Sequence, residues 1–591
     1  MNMKKIITYT TAFALAIGFA GCSDFLDKEV DLTLTEEQVF SSYENTRGVL
    51  ANLYDYLPDA FRAINDGAYN SPRDCMTDNA LCYWPSCQYY GILDGSYGAT
   101  NHPLAEFFWQ RNTEGIRKAN KFLKNVREDV VGNYDEEGDD NHLYDRYRAE
   151  ARVLRALCHM ELVGYFGDML IIGDDENGEP IIFEQNDPRM NSPRTDAAEV
   201  LKWIADECDA VKDDLPFRYS NEEENWGRVN GAAAYALRAR ALLYRASALH
   251  NPTNDVTWWQ EAAQAASDFI EVNSRQVHPY VLCTTDDNDP NENYYNCFIT
   301  NPYYNDEYIL TRSVWTVNTV EFYLTPCGFS GSIQSNGRCN PTQNFVDCYE
   351  MANGLPIDDP NSGYDPQNPY VNRDPRLEQT IQHHGSMWGD VINEEYRAID
   401  ISYPEGLDYQ LQFGGTLTGY YTKKYCNNMS FKSPSTYRHV CPIFRYGEIL
   451  LNAAEAYNEA YGPDRAYQYI NELRARVGMP AYSGMSQTEL RERIRNERRI
   501  ELVFEDHRFF DERRWMLFEN QTPSSETSLP RYKQVYNLYG VIITPEAGTV
   551  YNYGAAERTT RRTFVSPRDY YFPIPDDELK KLPNLGQNEG W

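Results

Sequence analysis

Ala232, Tyr235, Ala236, Ala239, Leu242, Leu243, Ala246 and Leu249 follow one another at intervals of 3, 1, 3, 3, 1, 3 and 3 residues, which is the repeat of one face of an α-helix and of nothing else in the backbone repertoire. Most of these side chains are small, so a second helix can approach the stripe closely. Asn251-Pro252 ends the run, and Trp258, Trp259, Ala262, Ala263 and Ala266 open another helical face after a short polar turn. An antiparallel helix pair is the expectation. The pattern recurs at Tyr446, Ile449, Leu450, Ala453, Tyr457 and Ala460, is broken by Gly462-Pro463, and returns at Ala466, Tyr467, Ile470, Leu473 and Val477. Single amphipathic helices are predicted around Ile116, Ala119, Phe122, Leu123 and Val126, and around Ala149, Val153, Ala156, Leu157, Met160 and Val163.

Helix pairs with a repeat of about 34 residues and Ala and Tyr at the contacts predict tetratricopeptide-like units. The expected fold is mainly α: about four such pairs in one scaffold, with large irregular loop regions and small strands. The loop regions are legible as a change of texture. Residues 275 to 440 are rich in Asn, Asp, Pro, Gly and Tyr, and residues 67 to 103 share that character; long loops on a compact frame are usually functional.

Charge narrows the partners. The 591 residues carry 55 Lys and Arg against 88 Asp and Glu, a formal net charge of −33, so binding to nucleic acid or to anionic headgroups through basic patches is disfavoured. Neutral or cationic partners are expected. The 46 tyrosines suit wet, amphipathic surfaces as well as cores.

The N-terminus reads as an address. Lys4 and Lys5 precede an apolar stretch from Ile6 to Ala20, and Gly21-Cys22 follows; the stretch is too short to span a bilayer. Small residues before a cysteine look like a bacterial lipoprotein signal over residues 1–21, with Cys22 as the acylated, membrane-tethered first residue. In an exported protein the twelve remaining cysteines permit disulfides. Cys75, Cys82 and Cys87 lie close together, as do Cys327, Cys339 and Cys348, and both local staples and isolated buried thiols are open readings. No C-x-x-C occurs, and His383-His384 has no Cys or carboxylate at ligand spacing, so no metal site is assigned. Asp286–Glu292 and Asp135–Asn141 are oxygen-rich but lack the EF-hand order; calcium stays possible and unassigned, and no other cofactor is expected.

Ordered strings along the whole chain resemble the SusD/RagB family of outer-membrane nutrient-binding lipoproteins. They are Cys22 to Asp27, Phe345 to Gly354, Arg373 to Leu377, Phe444 to Ala456, Ile470 to Pro480, Asn496 to Leu502, Arg508 to Trp515, Tyr571 to Leu579 and Asn584 to Trp591. The resemblance implies an N-terminal region over 22–280 and a C-terminal region over 281–591 packed as one unit, lipid-anchored at the cell surface. It also implies a SusC-like TonB-dependent transporter as partner, and capture of oligosaccharide or polysaccharide for delivery to it.

A glycan site needs flat apolar faces flanked by hydrogen-bonding groups. Trp84 is the first candidate, with Tyr83, Asn79, Arg73 and Tyr89 near it in sequence. Trp315 and Tyr295 are candidates from the later aromatic region, which also holds Tyr294, Tyr303, Tyr304 and Tyr323. Trp388 reads as a loop residue; Trp226, Trp258, Trp259 and Trp515 read as packing. The charges from Glu492 to Glu501 are expected to form solvated or interhelical ion pairs. No G-x-S-x-G, H-E-x-x-H, P-loop or nucleotide fingerprint occurs, so no catalytic residue is assigned and a binding protein is expected. A peptide-binding accessory of a similar transporter and, after it, a surface glycosidase are the alternatives.

Overall fold

The computed structural model describes residues 34–591 apart from 66–70, 85, 137–141, 185–186, 313–318, 330–334, 390–395, 410–414, 428–438, 547 and 554–558. Cys22, the signal over 1–21 and Trp315 therefore lie outside the described residues.

Strand β1 (Ala80–Cys82) precedes a run of long helices: α1 (Ala105–Asn125), α2 (Leu143–Phe166), α3 (Ala197–Val211), α4 (Gly231–Ala246) and α5 (Val256–Ser274). Short polar side chains start three of them. Asp196, Asn230 and Asp255 accept from the backbone N–H of Ala198, Ala233 and Thr257, satisfying donors that the first helical turn leaves free. Then come β2 (Tyr308–Thr311), the short helix α6 (Thr319–Leu324), β3 (Cys339–Pro341), β4 (Pro442–Arg445), α7 (Tyr446–Tyr461), α8 (Tyr467–Arg476) and α9 (Gln487–Glu501).

The long helices stack in chain order: α1 on α2, α2 on α3, α3 on α4, α4 on α5. Both helix pairs expected from the sequence, α4 with α5 and α7 with α8, are neighbours. Because α4 is packed by α3 on one side and α5 on another, Ala232, Ala233, Ala234, Ala236 and Ala241 are all fully buried; only small side chains allow that double approach. The stack does not stop at α5. Helix α7 packs on α5, and α8 and α9 both pack on α7, so residues 275 to 440 form an excursion from a helical array that resumes beyond them.

Strands of the excursion are short and pair with segments distant in sequence. β1 runs antiparallel to β3 with Ala80 opposite Pro341, Leu81 opposite Asn340 and Cys82 opposite Cys339. β2 pairs with β4, which leads directly into α7.

The charges of α9 do more than decorate a solvated face. Glu497, Arg498, Arg499 and Glu501 are buried. Glu501 receives Arg476 at 2.6 Å, Arg445 at 2.8 Å and Arg376 at 3.1 Å, and Arg445 also meets Glu307 at 2.6 Å and Glu505 at 2.7 Å. Burial pushes the Glu501 carboxyl up, but Arg476, Arg445 and Arg376 outweigh it and hold the group well below the usual carboxylate range. Gly447 makes room for this cluster: a Cβ there would collide with Arg445 Nη1 and stand 2.9 Å from Glu307 Oε1.

Two outcomes follow. Glu501→Gln leaves three buried guanidiniums short of a counter-charge, and urea unfolding should show a loss of about 3–5 kcal/mol. Glu455 is gripped by Arg514 through two 2.7 Å bonds. Burial raises this carboxyl, yet Arg514 and its neighbours bring it down to about 2. A depressed carboxylate contributes its stability above the unfolded value and loses it as pH falls, so urea midpoints should drop between about pH 4.5 and about pH 2. The drop should be shallower in Glu455→Gln.

Candidate ligand-binding site

The end of the β1–β3 ribbon carries an exposed tryptophan on a buried arginine. Beyond Cys82 the pairing continues for one more hydrogen bond, Tyr83 N–H donating to the Arg338 carbonyl at 2.9 Å, and the next residue, Trp84, is 36% exposed. The Arg338 guanidinium lies 3.8 Å from the Trp84 ring centroid and 5.7 Å from that of Tyr323. Phe322 and Tyr323 come from α6, and their rings meet edge-on at 5.0 Å. The end of α6 is fixed to the strand that brings Arg338: Asn336, Gly337 and Arg338 N–H groups donate to the carbonyls of Phe322, Thr325 and Tyr323. Ser71 Oγ donates to the Arg338 carbonyl at 3.0 Å. Backbone hydrogen bonds therefore set Trp84, Arg338 and Tyr323 against each other before any ligand arrives.

Arg338 is 8% exposed, and its Nε and Nη1 have no hydrogen-bond partner. Burial lowers its pKa from the ordinary guanidinium value, though a guanidinium stays charged in proteins. In two clefts elsewhere basic residues meet acids. In a cleft of about 410 Å³ on the helical stack Arg228 meets Glu150 at 2.8 Å, and in another of about 560 Å³ beside α9 Arg493 meets Glu350 at 2.7 Å.

Of the residues expected at the site, Trp84 and Tyr83 lie together, and Tyr323 from the later aromatic region joins them. Arg73, Asn79 and Tyr89 do not reach this surface. Arg73 is buried, paired with Asp506 at 2.7 Å and donating to Tyr165 Oη at 2.6 Å. Tyr89 is 1% exposed. Asn79, fully buried, donates to Asp74 Oδ1 at 2.8 Å and accepts from Arg499 Nε at 2.7 Å; burial pushes the Asp74 carboxyl up to about 7. The side chains nearest Trp84 in sequence point into the core because β1 and the turn before it are buried throughout. The contacts of Tyr295 are with other residues, its hydroxyl donating to the Cys426 carbonyl and Lys423 Nζ lying 4.9 Å from its ring centroid. Trp388 is buried rather than looped out, packed where its strand meets Arg397–Ala398.

Arg338 escaped the sequence reading because nothing local to Ser335-Asn-Gly-Arg338 marks it; only the β1–β3 register brings it to Trp84. Cysteines Cys75, Cys82, Cys87, Cys327, Cys339 and Cys348 are free thiols in this structure. The Cys75 and Cys339 sulfurs approach to 3.8 Å across the two expected groups, and the Cys82 and Cys87 side chains are hydrogen-bonded within the first. Among the described residues, no group of three or more His, Cys, Asp or Glu side chains could hold a metal ion, and no helix is long and apolar enough to cross a membrane.

Asn79→Ala strands Arg499 Nε and one oxygen of Asp74, and should cost about 1–3 kcal/mol in urea unfolding. Retention on a polysaccharide that binds the parent should be unchanged while the variant is folded, since Asn79 lies beneath the surface and not on it.

Comparison with known proteins agrees with both the fold and the sequence strings. The model of the SusD family matches residues 276–591, and a second SusD-like model, described as starch-binding and associating with the outer membrane, matches residues 24–243. SusD-like protein P25 of Formosa agariphila is 24% identical over 549 residues, covering 87% of this chain and 90% of that one. A SusD-like protein of Bacteroides fragilis superposes with a TM-score of 0.73 at 24% identity, over 94% of this chain and 98% of that one. A second from the same species, described as a SusD-like carbohydrate-binding protein, gives 0.70 at 23% identity, over 93% and 100%. The helical stack, the excursion between α5 and α7 and the C-terminal strings thus have one common explanation: the chain belongs to the SusD family and associates with the outer membrane.

Proposed function

We propose that the protein captures glycan chains at the surface formed by Trp84, Tyr83, Arg338, Tyr323 and Phe322, and passes them to a SusC-like TonB-dependent transporter in the same membrane, with a lipid on Cys22 as its anchor. The observation that carries this reading is the exposed Trp84 indole held in place by a buried guanidinium at the ribbon end. Sugar rings present flat C–H faces that stack on an indole, and fixed donors beside it meet hydroxyl groups. Trp315 lies outside the described residues and is proposed as a glycan contact on the sequence alone. Tyr295, Arg73, Asn79 and Tyr89 are left out of it. The role is binding without turnover, since a glycosidase would need two carboxyl groups flanking the bound sugar, and Tyr83, Trp84, Phe322, Tyr323 and Arg338 supply none.

Affinity electrophoresis of residues 23–591 through gels holding neutral and anionic polysaccharides tests the reading. One polysaccharide should retard the protein, and Trp84→Ala should weaken that retardation about tenfold, or roughly 1.4 kcal/mol. Retardation equal in wild type and Trp84→Ala would discard the site. Retardation by none of the polymers, with retention on cationic peptides, would replace glycan by peptide. In cells, Cys22→Ser should move the protein from the detergent phase to the aqueous phase of a Triton X-114 partition.

A further inference from the structure

The acids that dominate this chain are missing from the segments that build the ribbon end. With 88 acidic residues in 591, the stretches Asn79–Leu93 and Phe322–Pro341 would carry about five at the average composition; they carry none. The one formal charge in either stretch is Arg338. Glu321, immediately before the second stretch, is fully buried and turned to His439 at 2.9 Å.

A buried guanidinium with two partnerless nitrogens is an expensive arrangement, because donors removed from water and left unsatisfied cost free energy, and charged donors more than neutral ones. The core of this protein shows what usually happens to such a group. Arg376, Arg445, Arg476 and Arg514 each meet one or more carboxylates. Arg338 is as firmly positioned as they are, by hydrogen bonds through both its own N–H and its own carbonyl, and it is held against an aromatic ring at the surface instead of against an acid. Cation–ring contact offsets part of the desolvation and leaves the N–H donors unused. With one face of Trp84 taken by the guanidinium, its exposed remainder is what a sugar ring can stack on; Nε and Nη1 are buried, which leaves Nη2 as the guanidinium donor open to a ligand there.

Resting on the glycan-capture reading, we infer that this surface is built for an acidic glycan: the sugar bound at Trp84 carries a carboxylate or a sulfate ester, and Arg338 supplies its counter-charge. An oxyanion accepts strong, charge-assisted hydrogen bonds from a guanidinium. The net charge of −33 does not forbid this, since repulsion between exposed charges fades over a Debye length of about 8 Å at physiological ionic strength, whereas the Arg338 contact is direct. The global charge disfavours acidic ligands over the surface at large, and Arg338 is the local exception in two stretches that carry no acid of their own.

The test uses matched polymers in the same gels: polygalacturonate and alginate with their carboxyl-reduced forms, and fucoidan and carrageenan with their desulfated forms. The wild type should be retarded by an acidic member and at least about tenfold less by its neutralised partner; the carboxyl and sulfate pairs tell the two oxyanions apart. Arg338→Gln should lose this retardation while melting within a few degrees of wild type, and Arg338→Lys should recover part of it because charge is kept. Equal retardation by an acidic polymer and its neutralised form, or retardation by neutral polymers alone, overturns the acidic assignment. So does retardation that Trp84→Ala abolishes and Arg338→Gln leaves intact; in each of these cases glycan capture stands. Retardation by none of the polymers overturns both.

Discussion

Glu501 holds together parts of the chain that no local interaction would bring near each other. Its three arginines come from the excursion (Arg376), from the strand leading into α7 (Arg445) and from the end of α8 (Arg476), and Glu307, Glu505 and Lys424 extend the cluster. Buried ion pairs add little net stability once desolvation is counted. What such a cluster imposes is position. Any other docking of the excursion on the helices would leave several of these charges buried and unpaired, which is far costlier than the native arrangement is favourable.

The same logic carries the site. Asp78, at the entry to β1, is clasped by Arg508 at 2.7 Å and reached by Arg499 at 3.2 Å, so the strand that ends in Trp84 is fixed to the C-terminal helices from beneath. Thr342, just past β3, donates through its N–H to the Asn79 carbonyl at 2.9 Å and closes the ribbon on the same side. The surface above is then free of structural duty. Trp84 can remain exposed because Asn79 and Asp78, at the entry to its strand, are held by Arg499 and Arg508.

This division explains what could be read from the sequence. The helix pairs were legible since their apolar spacing is local, and α4 with α5 and α7 with α8 stand where that spacing puts them. Trp84 and Tyr83 were legible as aromatics in a polar loop. Arg73, Asn79 and Tyr89 are near Trp84 along the chain, which says nothing about the direction a side chain takes; all three are buried. Arg338 was invisible for the complementary reason: its meaning lies in a register between residues 80–82 and 339–341, and strands this short leave no periodicity to detect. The α9 charges showed their helical face in sequence, but their burial depends on Arg376, Arg445 and Asp78, all contributed from elsewhere.

A ribbon joining the first sixth of the chain to its second half also dictates an order of events. A chain delivered through a membrane from its N-terminus presents β1 long before β3, and longer still before Arg499 and Arg508, so Trp84 lacks its backing guanidinium until more than half of the polypeptide has emerged and its anchored strand until nearly all of it has. Contacts this distant in sequence form late. The helices from α1 to α5 can stack as they arrive, yet the Trp84 surface is complete only once the C-terminal helices that hold Asp78 are in place.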